Sequence, residues 1–245
     1  MITCLLAMLV VATANPSAGE PLHFEGHVFR WPSLGSGQPT VITYARVADR
    51  YQVPNRQHIV SPDNCGAMHA FSDISSASTG ISLPTLDWEL RSAFAAWEAA
   101  ANLVFVPVED PREANIVVGA SDPASGRAFA NLAYRDASHF PPIAKALGNT
   151  EPRARPAATG GTLAEIEQAY ICLNPSVQWK ILFDGNLDVY DLRHTFMHEI
   201  GHAIGLDHPG SSGAVMGYRY DEKFNDLQVS DIVAVQELYG PRLRR

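Results

Sequence analysis

One stretch decides the fold of this chain: His198-Glu199-Ile200-Gly201-His202-Ala203-Ile204-Gly205-Leu206-Asp207-His208. Residues four apart lie on one face of an α-helix, so the imidazoles of His198 and His202 face a common point. Gly205 lets the backbone leave that helix with a positive φ and bring His208 back to the same point. Three imidazoles in this arrangement are a ligand set for zinc that leaves a fourth position open to water, as catalytic sites do.

Glu199 gives this metal site a reaction to perform. Its carboxylate follows the first histidine directly and reaches a water molecule at the open position, where it acts as general base. H-E-x-x-H alone occurs by chance, but a glycine and a third histidine at these offsets make chance a poor explanation. The sequence therefore predicts one catalytic Zn²⁺ held by His198, His202 and His208.

A second segment, Ser212-Gly213-Ala214-Val215-Met216-Gly217-Tyr218, follows the histidines. The two segments together resemble the signature of the metzincins, in which a methionine turn follows the long zinc motif. The resemblance implies that Met216 packs beneath the histidines as a soft, polarizable residue. Pro209 and Tyr218 are similar to the serralysin and astacin pattern, which implies that Tyr218 donates to the developing oxyanion. The alternative is a tyrosine that only lines the substrate wall.

Among metzincins, the chain is most similar to the matrixins, the matrix metalloprotease family. The resemblance covers about residues 28–240 and includes Val41–Ala45, Leu90–Trp97 and a closing helix within Phe224–Gly240. It implies a zinc endopeptidase of α+β class. In this fold a twisted, mostly parallel sheet packs on the active-site helix and a first helix. A small C-terminal subdomain holds the closing helix. Extended substrate is expected to pair with an edge strand near Ala128–Leu132, and Gly217–Tyr220 is expected to wall the pocket just past the cut bond.

The chain departs from the matrixin pattern at that family's second metal site. Cys172 stands where the resemblance places a zinc-binding histidine, and Arg135–His139 is a poor substitute for the upstream histidine–aspartate loop. We therefore expect no structural zinc. Ca²⁺ stays open, because Asp184–Asp188 offers oxygen ligands but is also typical of a turn. We expect three further histidines to be exposed loop residues: His58, His69 and His139.

Cys65 and Cys172 are the two cysteines that remain after removal of an N-terminal signal. An even pair in an exported chain suggests a disulfide. A sharper alternative makes Cys65 an inhibitory thiolate on the zinc, because Asn64–Gly66 resembles the matrixin cysteine switch. Two free thiols are the third possibility.

The N-terminus predicts export. Ile2–Ala14 is apolar but too short to span a bilayer, and small residues offer cleavage sites after Ala14 and after Ala18. We expect a signal peptide over 1–19, although no basic residue precedes the apolar run, and a catalytic domain over 20–245. The mature protein is then secreted, to the extracellular space or the periplasm.

Charge restricts the partners of the protein. A formal net charge of −8 argues against a nucleic-acid surface. We expect a monomer without a membrane span that binds protein or peptide substrates. The alternative from another class is a catalytically silent module that binds peptides in a zinc-dependent way.

Hydrophobic periodicity predicts the remaining elements. Strands are expected at Val41–Arg46, Leu103–Val108, Ile116–Val118, Arg127–Tyr134 and Ala169–Leu173. Helices are expected after an N-cap at Thr85, over Leu192–Ile204, and from a cap at Ser230 to Leu238, with Asp231 in the first turn of the last. Loops are expected over 48–84 and 136–162.

Overall fold

The computed structural model describes residues 19–243 except 34, 36, 57, 61–63, 77–79, 136–161 and 210–212. The expected signal peptide with both cleavage sites, His139 and most of the expected loop 136–162 lie outside the described residues.

The described residues form four helices and twelve strands. The helices are α1 (Asp73–Ser76), α2 (Leu83–Ala100), α3 (Leu192–Ala203) and α4 (Val229–Tyr239). The strands are β1 (His23–Phe24), β2 (His27–Arg30), β3 (Thr40–Arg46), β4 (Arg50–Gln52), β5 (Ile59–Val60), β6 (Ala67–His69), β7 (Leu103–Pro107), β8 (Ile116–Asp122), β9 (Ala128–Arg135), β10 (Thr162–Leu173), β11 (Trp179–Lys180) and β12 (Tyr190–Asp191).

A mixed sheet organises the domain, and the strands along most of its main path are parallel. Its main path is β1-β2-β10-β8-β3-β7, and β9 runs antiparallel along β10. The long strand β10 pairs in parallel with β2 through its first residues and with β8 through its last. Strand β3 lies parallel to both β7 and β8. This architecture confirms the predicted α+β class.

Alternation along β10 separates two apolar layers. Ile171 and Leu173 join the main core with α2 and α3, whereas Tyr170 and Cys172 face a smaller cluster on the other side of the sheet. Trp97 is fully buried in the main core, and its indole N–H donates to the carbonyl of Met197 at 2.9 Å. This contact fixes α2 against α3, the helix that carries the first two histidines of the predicted zinc site.

The segment 48–84 is more ordered than the expected loop. It contains β4, β5, β6 and α1, of which β6 pairs with β8 and β5 with β9. Strands of two or three residues are too short for an alternating pattern to reveal them. Strand β9 is consequently not an edge along its whole length. Its outer side is paired at Leu132 and Ala133, and the described residues place no strand beside Ala128–Asn131.

Both predicted helix caps were wrong by a few residues. Helix α2 begins at Leu83, because the Ser82 hydroxyl accepts from the backbone N–H of Thr85 at 3.3 Å. Helix α4 begins at Val229 with Gln228 as its N-cap, and the backbone N–H of Gln228 donates to Asp231 at 2.8 Å. Asp231 lies in the first turn, as predicted. Because the Asp231 carboxylate accepts from the backbone N–H of Gln228, the helix begins before Ser230.

The first described residues brace the turn that follows α3. The N–H of Leu22 donates to the carbonyl of Gly205 at 2.8 Å, and the N–H of Asp207 donates to the carbonyl of Glu20 at 2.9 Å. These bonds hold the path of the chain toward His208. Within the part of the chain that the structure describes, no helix is both long and apolar enough to traverse a bilayer.

Candidate active site

Helix α3 and the turn after it carry the three histidines. Asp191 caps the helix by accepting from the backbone N–H of His194 at 2.9 Å. The helix ends at Ala203, and Gly205 adopts a φ of 92°. A Cβ at residue 205 would lie 2.2 Å from the carbonyl oxygen of Phe29 on β2. Only glycine meets both conditions, so the turn toward His208 depends on this residue.

The three imidazoles converge as the spacing predicts. Nε2 of His198 lies 3.2 Å from Nε2 of His202 and 3.2 Å from Nε2 of His208. A tetrahedral zinc ion with bonds of about 2.0–2.1 Å separates its nitrogen ligands by about 3.3–3.4 Å. The spacing of these nitrogens therefore fits zinc. Among the described residues, this trio is the one cluster of three or more His, Cys, Asp or Glu side chains placed to hold a metal.

Backbone carbonyls set the tautomers of two of these rings. Nδ1 of His198 lies 2.8 Å from the carbonyl of Val215, and Nδ1 of His202 lies 2.8 Å from the carbonyl of Leu206. A carbonyl only accepts, so each Nδ1 carries the proton and each Nε2 presents a lone pair. Two lone pairs that face each other at 3.2 Å repel unless a cation lies between them.

Burial keeps the ligands in their metal-binding form. It lowers the pKa of His202 to about 4 and the pKa of His198 well below its usual value, with the neighbouring imidazoles acting in the same direction. Both rings are therefore neutral at pH 7. Burial also raises the pKa of Glu199 to about 8. A bound zinc ion acts against that rise, because an adjacent cation favours the carboxylate.

The methionine turn packs beneath the histidines and is tied to α4. A Cβ at Gly201 would lie 2.2 Å from the Met216 sulfur, so this glycine admits the methionine against α3. Asp231 is fully buried and accepts from the backbone N–H groups of Val215 and Met216 at 3.0 and 3.1 Å. The sequence analysis placed Asp231 in the first turn but missed this role as a tether. An acidic residue in a capping position was the available signal.

Tyr218 lies at the mouth of the site. Its side chain is 83% exposed, and its ring centroid lies 5.3 Å from that of His208. It lines a pocket that also includes Glu199 and His198. The oxyanion-donor role of Tyr218 stays a prediction.

Aromatic side chains form the far wall of this pocket. Tyr190 and Tyr220 stack with centroids 4.3 Å apart, and His194 meets Tyr220 edge-on at 4.9 Å. Burial lowers the pKa of His194 to about 4, so this ring is neutral at pH 7. Arg127 lies over Tyr190 at the rim. Tyr220 lies in the segment Gly217–Tyr220, which the sequence predicted to wall the pocket. The sequence did not assign Tyr190, His194 or Arg127 to it.

A lysine side chain lies within the acidic cluster considered for calcium. Lys180 forms ion pairs with Asp184 and Glu222, and it donates to the carbonyl of Asn186 at 2.7 Å. The side chains of Asp184 and Asn186 accept from the backbone N–H groups of Asn186 and Asp188, each at 3.0 Å, as is common in turns. Glu222 also accepts from the hydroxyl of Tyr220 at 2.9 Å, which connects this cluster to the pocket wall.

The remaining histidines that the structure describes are not arranged as ligands. His69 lies on β6, not in a loop, with Nε2 3.1 Å from Asp122. His58 is half-buried beside Tyr134, with ring centroids 5.3 Å apart. The expectation that both are exposed loop residues was therefore wrong for His69 and only partly met for His58.

Cys65 and Cys172 are joined by a disulfide in the structure, with their Cα atoms 5.7 Å apart. Both belong to the apolar cluster on the sheet face opposite α3. This placement leaves Cys65 away from the histidine nitrogens and does not support an inhibitory thiolate.

We expect the double variant Cys65→Ala/Cys172→Ala to lose stability. The bridge spans 107 residues, and the chain-entropy model assigns a loop of this size roughly 4–5 kcal/mol of unfolding free energy. Denaturant unfolding of the variant and of the oxidised wild type measures the difference. Reduced wild-type protein is the matched control and should unfold with the variant. Equal midpoints for variant and oxidised wild type would contradict a stabilising bridge.

Comparison with known proteins agrees with this geometry. The family model described as Matrixin matches residues 72–240. Karilysin from Tannerella forsythia is 28% identical over 62% of this chain and 28% of its own length. Matrix metalloproteinase-16 from Homo sapiens is 25% identical over 80% of this chain and 30% of its own. Metalloendoproteinase 1-MMP from Arabidopsis thaliana is 29% identical over 62% of this chain and 37% of its own. The chain thus spans less than half the length of these curated relatives.

Proposed function

The chain belongs to the matrixin family, and on that premise we propose that it is a secreted zinc endopeptidase that hydrolyses protein substrates. The observation that supports this most strongly is the convergence of three Nε2 atoms, with 3.2 Å from His198 to each of the other two. Glu199 lines the adjoining pocket, where a general base is needed.

The residues divide the work of hydrolysis. His198, His202 and His208 would hold the zinc ion, which when bound supplies Lewis acidity to the scissile carbonyl and to a water molecule. Glu199 accepts a proton from the attacking water and delivers it to the leaving amine. Tyr218, exposed beside His208, donates a hydrogen bond to the oxygen that gains charge.

The sheet offers the substrate a place to bind. Main-chain groups of Ala128–Asn131, which have no neighbouring strand among the described residues, pair with an extended peptide. Pairing of this kind is tolerant of sequence, so the pocket lined by Tyr190, Tyr220 and His194 supplies selectivity for the residue just past the cut bond.

Export of the protein and its independence of Ca²⁺ are two further parts of this proposal. The apolar N-terminus and the disulfide both fit an oxidising compartment outside the cytosol. N-terminal sequencing of the exported protein checks this and should begin at Asn15 or Gly19. Lys180 already pairs with both Asp184 and Glu222, so we propose that activity does not require Ca²⁺ at this cluster.

Casein cleavage separates an enzyme from a silent peptide-binding module. We expect the purified protein to cleave casein, to lose this activity with the zinc chelator 1,10-phenanthroline, and, after complete metal removal, to regain it with Zn²⁺ alone in calcium-free buffer. The reason is that the three nitrogen donors suit zinc and Lys180 occupies the oxygen cluster. If casein stayed intact under every condition although the protein contained zinc, a catalytically silent peptide-binding module would explain the protein better than an enzyme.

A further inference from the structure

Arg127 lies beside the pocket with its charge unbalanced. It lines the pocket together with Glu199, and among the described residues no carboxylate lies within ion-pair distance of its guanidinium. Several other described arginines have acidic partners, such as Arg46 with Asp87 and Arg193 with Glu89. Among the described residues, Arg30, Arg219 and Arg242 share the lack of an ion pair with Arg127, but they do not line the pocket. The unpaired cation therefore lies at the proposed substrate cleft.

The position of Arg127 is fixed from two directions. Asn174 anchors its backbone, because the N–H of Asn174 donates to the carbonyl of Arg127 at 2.7 Å and its side-chain amide donates to Gly126 at 2.8 Å. The guanidinium carbon lies 4.1 Å from the ring centroid of Tyr190, whose ring also stacks on Tyr220. A cation held this way loses little freedom when it binds an anion.

The surrounding groups leave the cation available to a ligand. Glu222 is paired with Lys180, and Asp221 with Lys223 at 3.4 Å. His194 contributes a neutral ring, and Glu199 is buried behind the metal ligands and assigned to the water. The protein as a whole carries a formal net charge of −8, so the positive charge of Arg127 in the cleft is opposite in sign to the net charge of the protein.

We propose that Arg127 is a specificity-determining residue that selects substrates with an acidic side chain on the C-terminal side of the cut bond. This rests on the proposed function, since it names the substrate class of the same site. The planar guanidinium offers two parallel N–H groups that match the two oxygens of a carboxylate. Because Arg127 shares the pocket just past the cut bond, the acidic residue lies within the first three positions after the cut.

Paired peptides test this selection. A fluorogenic peptide built on a sequence that the enzyme cleaves in casein is made with Glu or Gln at the first, second or third position after the cut. We expect wild-type kcat/KM to favour Glu over Gln by about tenfold at one of these positions, a difference typical of one charge-assisted contact. Arg127→Gln should bring the two members of that pair together, and Arg127→Glu should favour Lys over Gln at the same position.

Arg219 supplies the matched control. It is exposed on the segment that walls the pocket but does not line the pocket, so Arg219→Gln removes the same charge nearby and should preserve the preference. Equal wild-type cleavage of all Glu and Gln pairs would overturn the proposal. A preference that survives in Arg127→Gln, or that disappears in Arg219→Gln, would also overturn it. Failure to cleave casein or any peptide overturns the proposed function itself, which is a distinguishable result.

Discussion

Replacement of Glu199 by glutamine should abolish nearly all proteolysis while zinc stays bound. The amide keeps the size of the side chain but accepts no proton, so the water loses its base and the leaving amine its acid. Positioned general acid–base groups contribute about 10²–10⁴-fold to rates, and we expect a fall in kcat/KM near the upper end of that range. Steady-state cleavage of a fluorogenic peptide, with zinc content measured on the same sample, gives the result.

Glu89→Gln is the control for this experiment. Glu89 is also a buried glutamate, but its carboxylate lies 2.6 Å from Nε of Arg193 and does not line the pocket. This variant should lose stability while its turnover stays close to that of the wild type. If Glu199→Gln cleaved peptides like the wild type, the general-base assignment would be wrong.

Replacement of Gly205 by alanine should disrupt the metal site without touching a ligand. The residue has a φ of 92°, and an added Cβ would lie 2.2 Å from the carbonyl oxygen of Phe29. Left-handed backbone costs about 1–2 kcal/mol for a residue with a Cβ, and overpacking costs about 1–3 kcal/mol more. The turn should shift and carry His208 away from the other two ligands. Thermal unfolding and zinc content of the purified variant report the two effects.

Gly240→Ala separates backbone strain from steric clash. Gly240 follows α4, has a φ of 75°, and a Cβ there would meet no atom within 4 Å. This control should lose about 1–3 kcal/mol of unfolding free energy, because its backbone lies in a region essentially restricted to glycine, and it should retain its zinc. Wild-type stability and zinc occupancy in Gly205→Ala would show that the turn does not depend on glycine.

The sequence predicted the histidine triad because helix geometry brings residues at this spacing close together. His198 and His202 lie four apart on one helix, and Gly205 marks the turn that returns His208. Because the three histidines lie within eleven residues of sequence, their proximity could be predicted without knowledge of the tertiary fold. The main strands of the sheet could also be predicted from local sequence, because β3, β7, β8 and β10 are long enough to show an apolar pattern.

Other contacts around the pocket could not be predicted from the sequence, because their residues meet only in the folded chain. Arg127 lies over Tyr190, which is 63 positions away, and Lys180 pairs with Glu222, which is 42 positions away. Neither pair forms a spaced motif. The tether from Asp231 to the methionine turn is similar, because a capping carboxylate does not show which backbone groups it will meet.

The central claim is that His198, His202 and His208 bind one zinc ion through Nε2, and X-ray absorption at the zinc edge tests it most directly. The purified protein should contain zinc with three imidazole nitrogen ligands at about 2.0–2.1 Å and a fourth, oxygen ligand from solvent. His208→Ala should reduce the nitrogen count to two or abolish zinc binding. A protein that binds no zinc, or whose zinc environment is unchanged in His208→Ala, would contradict the account.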